Sequence, residues 1–146
     1  MTPRNIVFAT DFSPSSEAAL ATAISLARDS DSTLILLHVQ VPPTAFGGGE
    51  AYIGPTESEE QLSEMLTRLV PADAQVRVER RLVVGDPAHE IVRLAEQNHS
   101  SMIVIGSHGR TGLARLLLGS VAEAVVRRAK CAVLTVKQAE PAAGAK

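Results

Sequence analysis

The stretch that decides the fold is MIVIGSHGRTGLARLLLGS, residues 102–120. An apolar run at 102–105 is followed by glycines at positions 106, 109, 112 and 119, and then by a helical pattern beginning near Ser120. An uninterrupted apolar run is typical of a buried strand in a parallel sheet. Glycines let the backbone approach a ligand closely, and a helix N-terminus offers free N–H groups to an anion. With arginines at 110 and 115 and no acidic residue, the stretch predicts a cradle for nucleotide phosphates.

Apolar runs alternate with helical patterns along the rest of the chain. The strands are predicted at 6–9, 33–39, 76–84, 102–105 and 132–136. The alternating pattern of 76–84 suggests a half-exposed edge of the sheet. No hairpin turn signal separates the strands, so the order predicts an α/β fold with a doubly wound parallel sheet. In such sheets the ligand binds at the carboxyl ends of the strands, at the topological switch point.

Short polar patterns predict where the helices begin. Ser13 and Asp86 are each followed by proline, as expected of an N-cap and the first helical position. Thr56-x-x-Glu59 and Ser120-x-x-Glu123 both fit the capping-box pattern. The fourth helix is expected to bury Val126 together with other small apolar residues.

Length and composition bound the possible classes of protein. The 146 residues fit one domain, assigned to 1–137, followed by a flexible tail at 138–146. The net charge of −2 and the aromatic content of 3% argue against nucleic-acid binding. No apolar run approaches the roughly 20 residues that span a bilayer, and no signal peptide is recognised, so we expect a cytoplasmic protein without membrane insertion. The single Cys131 forms no internal disulfide, and the scattered histidines show no metal-ligand spacing.

Four segments resemble the universal stress protein family, and the resemblance covers nearly all of residues 3–137. They are Ile6–Ser13, Leu36–Val39, Val84–Pro87 and Gly106–Ser120. The resemblance implies a flavodoxin-like (adenine nucleotide alpha hydrolase-like) three-layer α/β/α domain with five parallel strands in the order 3-2-1-4-5. It also implies a homodimer formed through the last strand, 132–136. The glycine spacing resembles that of the ATP-binding branch of the family, so the resemblance implies ATP as the ligand. It leaves open whether Mg²⁺ accompanies the nucleotide.

The resemblance places the nucleoside at the ends of the first two strands. Asp11 is expected at the adenine–ribose end, with Ala9 and Thr10 beside it, and the main chain of Val39 is expected to contact adenine. Ala9 replaces a proline frequent in nucleotide-binding relatives, and Cys131-Ala132 replaces a proline frequent before the last strand. A simple turn-ordering role for Asp11 is the alternative. His38 is expected to be a buried, hydrogen-bonded side chain rather than a ligand.

The resemblance places the phosphates on the glycine loop. Gly106 and Gly109 are expected along the ribose and α-phosphate, whereas Gly119, Ser120 and Val121 are expected to hold the outer phosphates through N–H groups and the hydroxyl. His108 and Arg110 either reach the phosphates or lie on a solvent-exposed face of the loop. The alternative interpretation of this stretch is a turn that only caps a helix.

Four functions compete for this pattern. The favoured one is an ATP-binding regulatory or stress-response protein with little or no ATP turnover. The loop supplies hydrogen-bond donors for the phosphates, but no residue is an evident general base that would activate a nucleophile. A slow ATPase or phosphotransferase and a nucleotide-free dimeric interaction module remain as alternatives. A receiver-type phosphoacceptor is disfavoured, because the first strand ends in a single acid and Asp86-Pro87 fits a helix cap.

Overall fold

The computed structural model describes residues 4–42, 57–107 and 118–137. Within these ranges strands and helices alternate along the chain. They are β1 (Asn5–Ala9), α1 (Pro14–Asp29), β2 (Thr33–Gln40), α2 (Glu59–Leu69), β3 (Arg77–Val84), α3 (Pro87–Gln97), β4 (Met102–Gly106), α4 (Ser120–Arg128) and β5 (Ala132–Val136). The predicted tail at 138–146 lies outside the described residues.

The strands form one parallel sheet in the order β3-β2-β1-β4-β5. This confirms the predicted order and places β3 at an edge, as its alternating sequence indicated. Helices α1 and α2 pack on one face of the sheet, and α3 and α4 pack on the other, giving three layers. The central strand β1 is enclosed on both faces, because Val7 and Phe8 are fully buried between the two helical layers.

Two helix starts are confirmed in detail. Ser13 caps α1 by accepting a hydrogen bond from the Ser16 N–H, and Pro14 occupies the first helical position. Asp86 caps α3 through a 3.0 Å hydrogen bond from the His89 N–H. Both caps follow directly from local sequence, since a short polar acceptor before proline satisfies N–H groups that the first turn leaves unpaired.

The predicted start of the second helix is wrong. Thr56 lies outside the described residues, and the N-cap of α2 is Ser58, which forms a complete capping box with Gln61. Two overlapping patterns, Thr56-x-x-Glu59 and Ser58-x-x-Gln61, compete for the same role. The second one prevails, so Glu59 becomes the first helical residue and not the third.

The capping box predicted at Ser120 is also wrong. The N-cap of α4 is Gly119, which makes no side-chain cap bond, and Ser120 is the first residue of the helix. Glu123 instead bonds Arg127 one turn later. Val126, expected in the core, is 47% exposed, because α4 turns Ala122 and Val125 toward the sheet and Val126 away from it.

Candidate functional site

The carboxyl ends of β1 and β4 form the topological switch point of the sheet. The two strands are neighbours, with Ala9 opposite Ile105 in the register. After β1 the chain passes to α1 on one face, whereas the segment after β4 leads to α4 on the other face. Connections that diverge in this way open a crevice at the strand ends. In this sheet Thr10 and Asp11 follow β1 and Gly106 ends β4, so these are the residues expected to border the crevice.

Asp11 lies in a tight turn between β1 and α1. Its side chain is partly exposed, and Oδ1 accepts a 2.9 Å hydrogen bond from the Ser13 N–H. Such a bond from the backbone two residues on is the usual turn made by an aspartate. The intervening Phe12 has a φ of 63°, a left-handed conformation that non-glycine residues adopt uncommonly. The turn therefore holds the Asp11 carboxylate at the rim of the crevice, beside the start of α1.

His38 supports this turn from the neighbouring strand. The residue is 8% exposed, and Nδ1 lies 2.7 Å from the carbonyl oxygen of Thr10. Because a carbonyl oxygen only accepts, Nδ1 carries the proton and donates it. The ring also packs against Phe12, with the two ring centroids 4.7 Å apart. These contacts confirm His38 as a buried, hydrogen-bonded histidine.

Gly106 ends β4 directly against the first turn of α1. A Cβ atom at this position would lie 2.8 Å from Ser15 Oγ and 2.9 Å from the backbone C and O of Ser15. Real Cβ contacts are not this short, so only glycine allows α1 to approach β4 so closely. Sequence reasoning gave Gly106 a ligand role alone, and the packing against Ser15 had no local signal.

The two ends of the glycine loop are joined at the rim. The Gly119 N–H donates to the Ser107 carbonyl over 2.6 Å, and the Ser107 N–H donates to the Val136 carbonyl over 3.0 Å. Ser107 is 1% exposed, so this anchor is buried. The start of α4 is therefore fixed next to the end of β4. Sequence reasoning did not predict this anchor, because the role of Ser107 in it depends on backbone groups of a later strand.

The predicted site residues fall into four groups. Thr10, Asp11, Gly106 and Gly119 lie around the switch point, as described above. Ala9 and Val39 are buried, at 6% and 8% exposure. Val39 lies near the end of β2, and β1 separates β2 from β4 in the sheet. Ser120 is exposed and Val121 partly buried in the first turn of α4. His108, Gly109 and Arg110 lie outside the described residues.

Among residues 4–42, 57–107 and 118–137, no group of three or more His, Cys, Asp or Glu side chains is arranged to hold a metal ion. In those same ranges, no helix combines the length and the apolar character required to cross a membrane.

Comparisons with known proteins agree with this architecture. The family model described as "Universal stress protein family" matches residues 2–137. A universal stress protein of Methanocaldococcus jannaschii is 36% identical over 140 residues, covering 92% of this chain and 82% of the relative. A universal stress protein solved in complex with cAMP is 30% identical with a TM-score of 0.67, covering 95% of this chain and all (100%) of that one. The Archaeoglobus fulgidus universal stress protein solved in complex with dAMP is 28% identical with a TM-score of 0.67. The match covers 94% of this chain and 100% of that one.

Proposed function

Because this chain belongs to the universal stress protein family, we propose that it binds an adenine nucleotide, ATP foremost, at the switch point between β1 and β4. The observation that carries the proposal is that the Asp11 turn after β1 and the anchored start of α4 after β4 lie at the same end of two neighbouring strands. Relatives solved with cAMP and with dAMP support adenine nucleotides as the ligand class.

In the proposed pose the nucleoside lies over the ends of β1 and β2. The Asp11 carboxylate accepts hydrogen bonds from the ribose, and the main chain of Val39 contacts adenine. Ala9 and Thr10 lie beside the nucleoside. Val39 as a whole residue is 8% exposed, and its only polar groups are the main-chain N–H and C=O, so the proposed contact with adenine would use these groups.

The phosphates in this pose extend toward α4. Gly106 and Gly109 line the ribose and α-phosphate, and the outer phosphates bind the first turn of α4 through Gly119, Ser120 and Val121. Unpaired N–H groups and the helix dipole favour anions at such a position. The Ser120 hydroxyl is exposed and does not cap the helix, so it can donate to a phosphate oxygen. His108 and Arg110 are proposed as additional phosphate contacts.

We further propose that bound ATP acts as a regulatory ligand with little or no turnover, with or without Mg²⁺. Phosphoryl transfer needs an oriented nucleophile as well as charge neutralisation. In the proposed pose Asp11 lies at the nucleoside end, remote from the γ-phosphate, so its carboxylate does not activate an attacking water. The proposed location is the cytoplasm. The single cysteine of the chain fits this location, because proteins of that reducing compartment rarely contain disulfides.

Titration calorimetry with ATP, ADP and AMP tests this function. We expect saturable ATP binding that Gly119→Val abolishes while the circular dichroism spectrum is retained. The φ of Gly119 is −62°, so valine introduces a side chain at the phosphates without a strained backbone. Steady ADP production above that of Gly119→Val would favour the slow ATPase instead. A folded protein that binds none of the three nucleotides would favour the nucleotide-free interaction module.

We also propose that two copies pair through β5. This strand ends the sheet, and within the described part of the chain it pairs only with β4, so its outer edge offers N–H and C=O groups to another strand. Light scattering during gel filtration should give twice the chain mass of 15.4 kDa. A monomer at every protein concentration would contradict this proposal.

A further inference from the structure

The hydroxyl of Thr10 is part of a chain of hydrogen bonds across the turn that carries Asp11. The Phe12 N–H donates to Thr10 Oγ1 over 2.9 Å, and Thr10 Oγ1 lies 2.9 Å from Ser16 Oγ. Ser16 Oγ in turn donates to the carbonyl oxygen of Ser13 over 2.9 Å. Thr10 and Ser16 are both buried, at 6% and 4% exposure. The network therefore encloses the turn from β1 to the first turn of α1.

The direction of each bond follows from the number of protons available. A hydroxyl has one proton to donate and two lone pairs that accept. Ser16 uses its single proton on the Ser13 carbonyl, so Thr10 is the donor in the bond between the two hydroxyls. The sequence of donation is thus Phe12 N–H to Thr10, Thr10 to Ser16, and Ser16 to Ser13. Thr10 has no hydroxyl proton left for a ligand.

The backbone of Thr10 is also engaged within the protein. Its N–H donates to the Leu37 carbonyl over 2.9 Å, and its carbonyl accepts the 2.7 Å bond from His38 Nδ1. Together with the His38–Phe12 ring contact, these bonds hold Phe12 at its φ of 63°. Conformations of this kind persist only where the surroundings determine them strongly, and they cluster at functional sites.

We propose that Thr10 is a positioning residue, which fixes the Asp11 carboxylate for the nucleoside without donating to the ligand itself. This inference rests on the proposed nucleotide binding at the switch point. Its physical basis is that Asp11 and Phe12 lie between two fixed points, the Thr10 hydroxyl and the first turn of α1. Loss of the hydroxyl releases the Phe12 N–H, and the turn can then move Asp11 away from the ribose.

Thr10→Val and Thr10→Ser form a matched pair of variants for the test. Valine keeps the branched shape and removes the donor and acceptor, whereas serine keeps the hydroxyl. We expect Thr10→Val to weaken the binding of ATP and of AMP by the same factor, roughly threefold to tenfold. Thr10→Ser should retain most of the affinity. Equal losses for ATP and AMP are expected because the group that moves, the Asp11 carboxylate, is proposed to contact the nucleoside, which both ligands share.

A double-mutant cycle with Asp11→Asn separates positioning from a general loss of structure. Asparagine keeps the oxygen that accepts from the Ser13 N–H and removes the charge. If Thr10 acts through Asp11, adding Thr10→Val to Asp11→Asn causes no further loss of affinity. Additive losses, or a greater loss for ATP than for AMP, would overturn the inference. So would a folded Thr10→Val protein with wild-type affinity.

Two outcomes distinguish this inference from the function on which it rests. Wild-type protein that binds no adenine nucleotide overturns the proposed function and this inference with it, whereas wild-type binding that Thr10→Val leaves unchanged overturns only the role of Thr10. If Thr10→Val does not fold, Ser16→Ala removes the partner of the same hydroxyl and should weaken ATP and AMP equally. Unchanged affinity in a folded Ser16→Ala protein would then refute the network.

Discussion

Replacement of Gly106 by alanine introduces one methyl group where β4 meets the first turn of α1. The new Cβ atom would lie 2.8 Å from Ser15 Oγ and 2.9 Å from two backbone atoms of Ser15. The side chain of Ser15 can rotate away, but its backbone is part of α1. We therefore expect the first turn of α1 to move away from β4.

The expected cost follows from the size of this overlap. Inserting a methyl group into a packed contact that must shift backbone costs about 1–3 kcal/mol. For a chain near 150 residues, each kcal/mol lowers the melting temperature by about 2–4 °C. Gly106→Ala should therefore melt about 2–12 °C lower than the wild type. ATP binding should weaken as well, because Asp11 is held by Ser13 at the same turn of α1.

Thermal unfolding followed by circular dichroism measures the stability, and calorimetry measures the ATP affinity. Ile105→Val is a matched control one position earlier in β4. It removes a methyl group from the core on the other face and costs about 0.5–1.5 kcal/mol, with ATP binding retained. Adding Ser15→Ala to Gly106→Ala should not restore stability, because the backbone contacts remain. A Gly106→Ala protein with the wild-type melting temperature would refute this reasoning.

Three other changes test separate parts of the account. Ser120→Ala should weaken ATP binding about tenfold while the melting temperature stays unchanged, because the hydroxyl does not cap α4; a lower melting temperature with full ATP affinity would contradict this. Ala132→Lys places a charge on the exposed start of β5 and should shift a dimer toward monomer in gel filtration. Ser63→Lys on the exposed face of α2 is the control and should not. The same elution volume for both variants would argue against β5 as the interface. Burial raises the pKa of the Cys131 thiol, so the native protein should react with iodoacetamide more slowly than the unfolded chain at pH 8. Because the pKa of the thiol is higher in the folded than in the unfolded state, the folded protein holds this proton more tightly. The free energy of unfolding should therefore fall as the pH rises from the unfolded-state pKa through the folded-state pKa, and Cys131→Ser should lack this fall. Equal alkylation rates in the native and unfolded states would contradict the raised pKa.

The fold was predictable wherever a local pattern has one physical solution. The caps at Ser13 and Asp86 each pair a short acceptor with a following proline, and uninterrupted apolar strands require helices on both faces of the sheet. Prediction failed where two local solutions compete, as at Thr56 and Ser58. It also failed at Val126, because only the orientation of α4 against the sheet decides which apolar residues are buried.

The end of the sheet at which the candidate site lies could be predicted from sequence, but the contacts that support it could not. The order of strands brings Asp11 and Gly106 to the same rim. The left-handed Phe12, the bond from His38 to Thr10 and the contact of Gly106 with Ser15 depend on residues from different elements. No periodicity or spacing in one segment reports such contacts. They determine how firmly the rim is held, which local patterns do not encode.

The small molecules released when the purified protein is denatured test the central claim most directly. Chromatography of the released material, together with ATP titration of the emptied and refolded protein, identifies the ligand and its stoichiometry. We predict an adenine nucleotide in the released fraction or, if none is retained, saturable binding of one ATP per chain. A folded protein that neither releases an adenine nucleotide nor binds added ATP would contradict the assignment of the β1–β4 crevice as a nucleotide site.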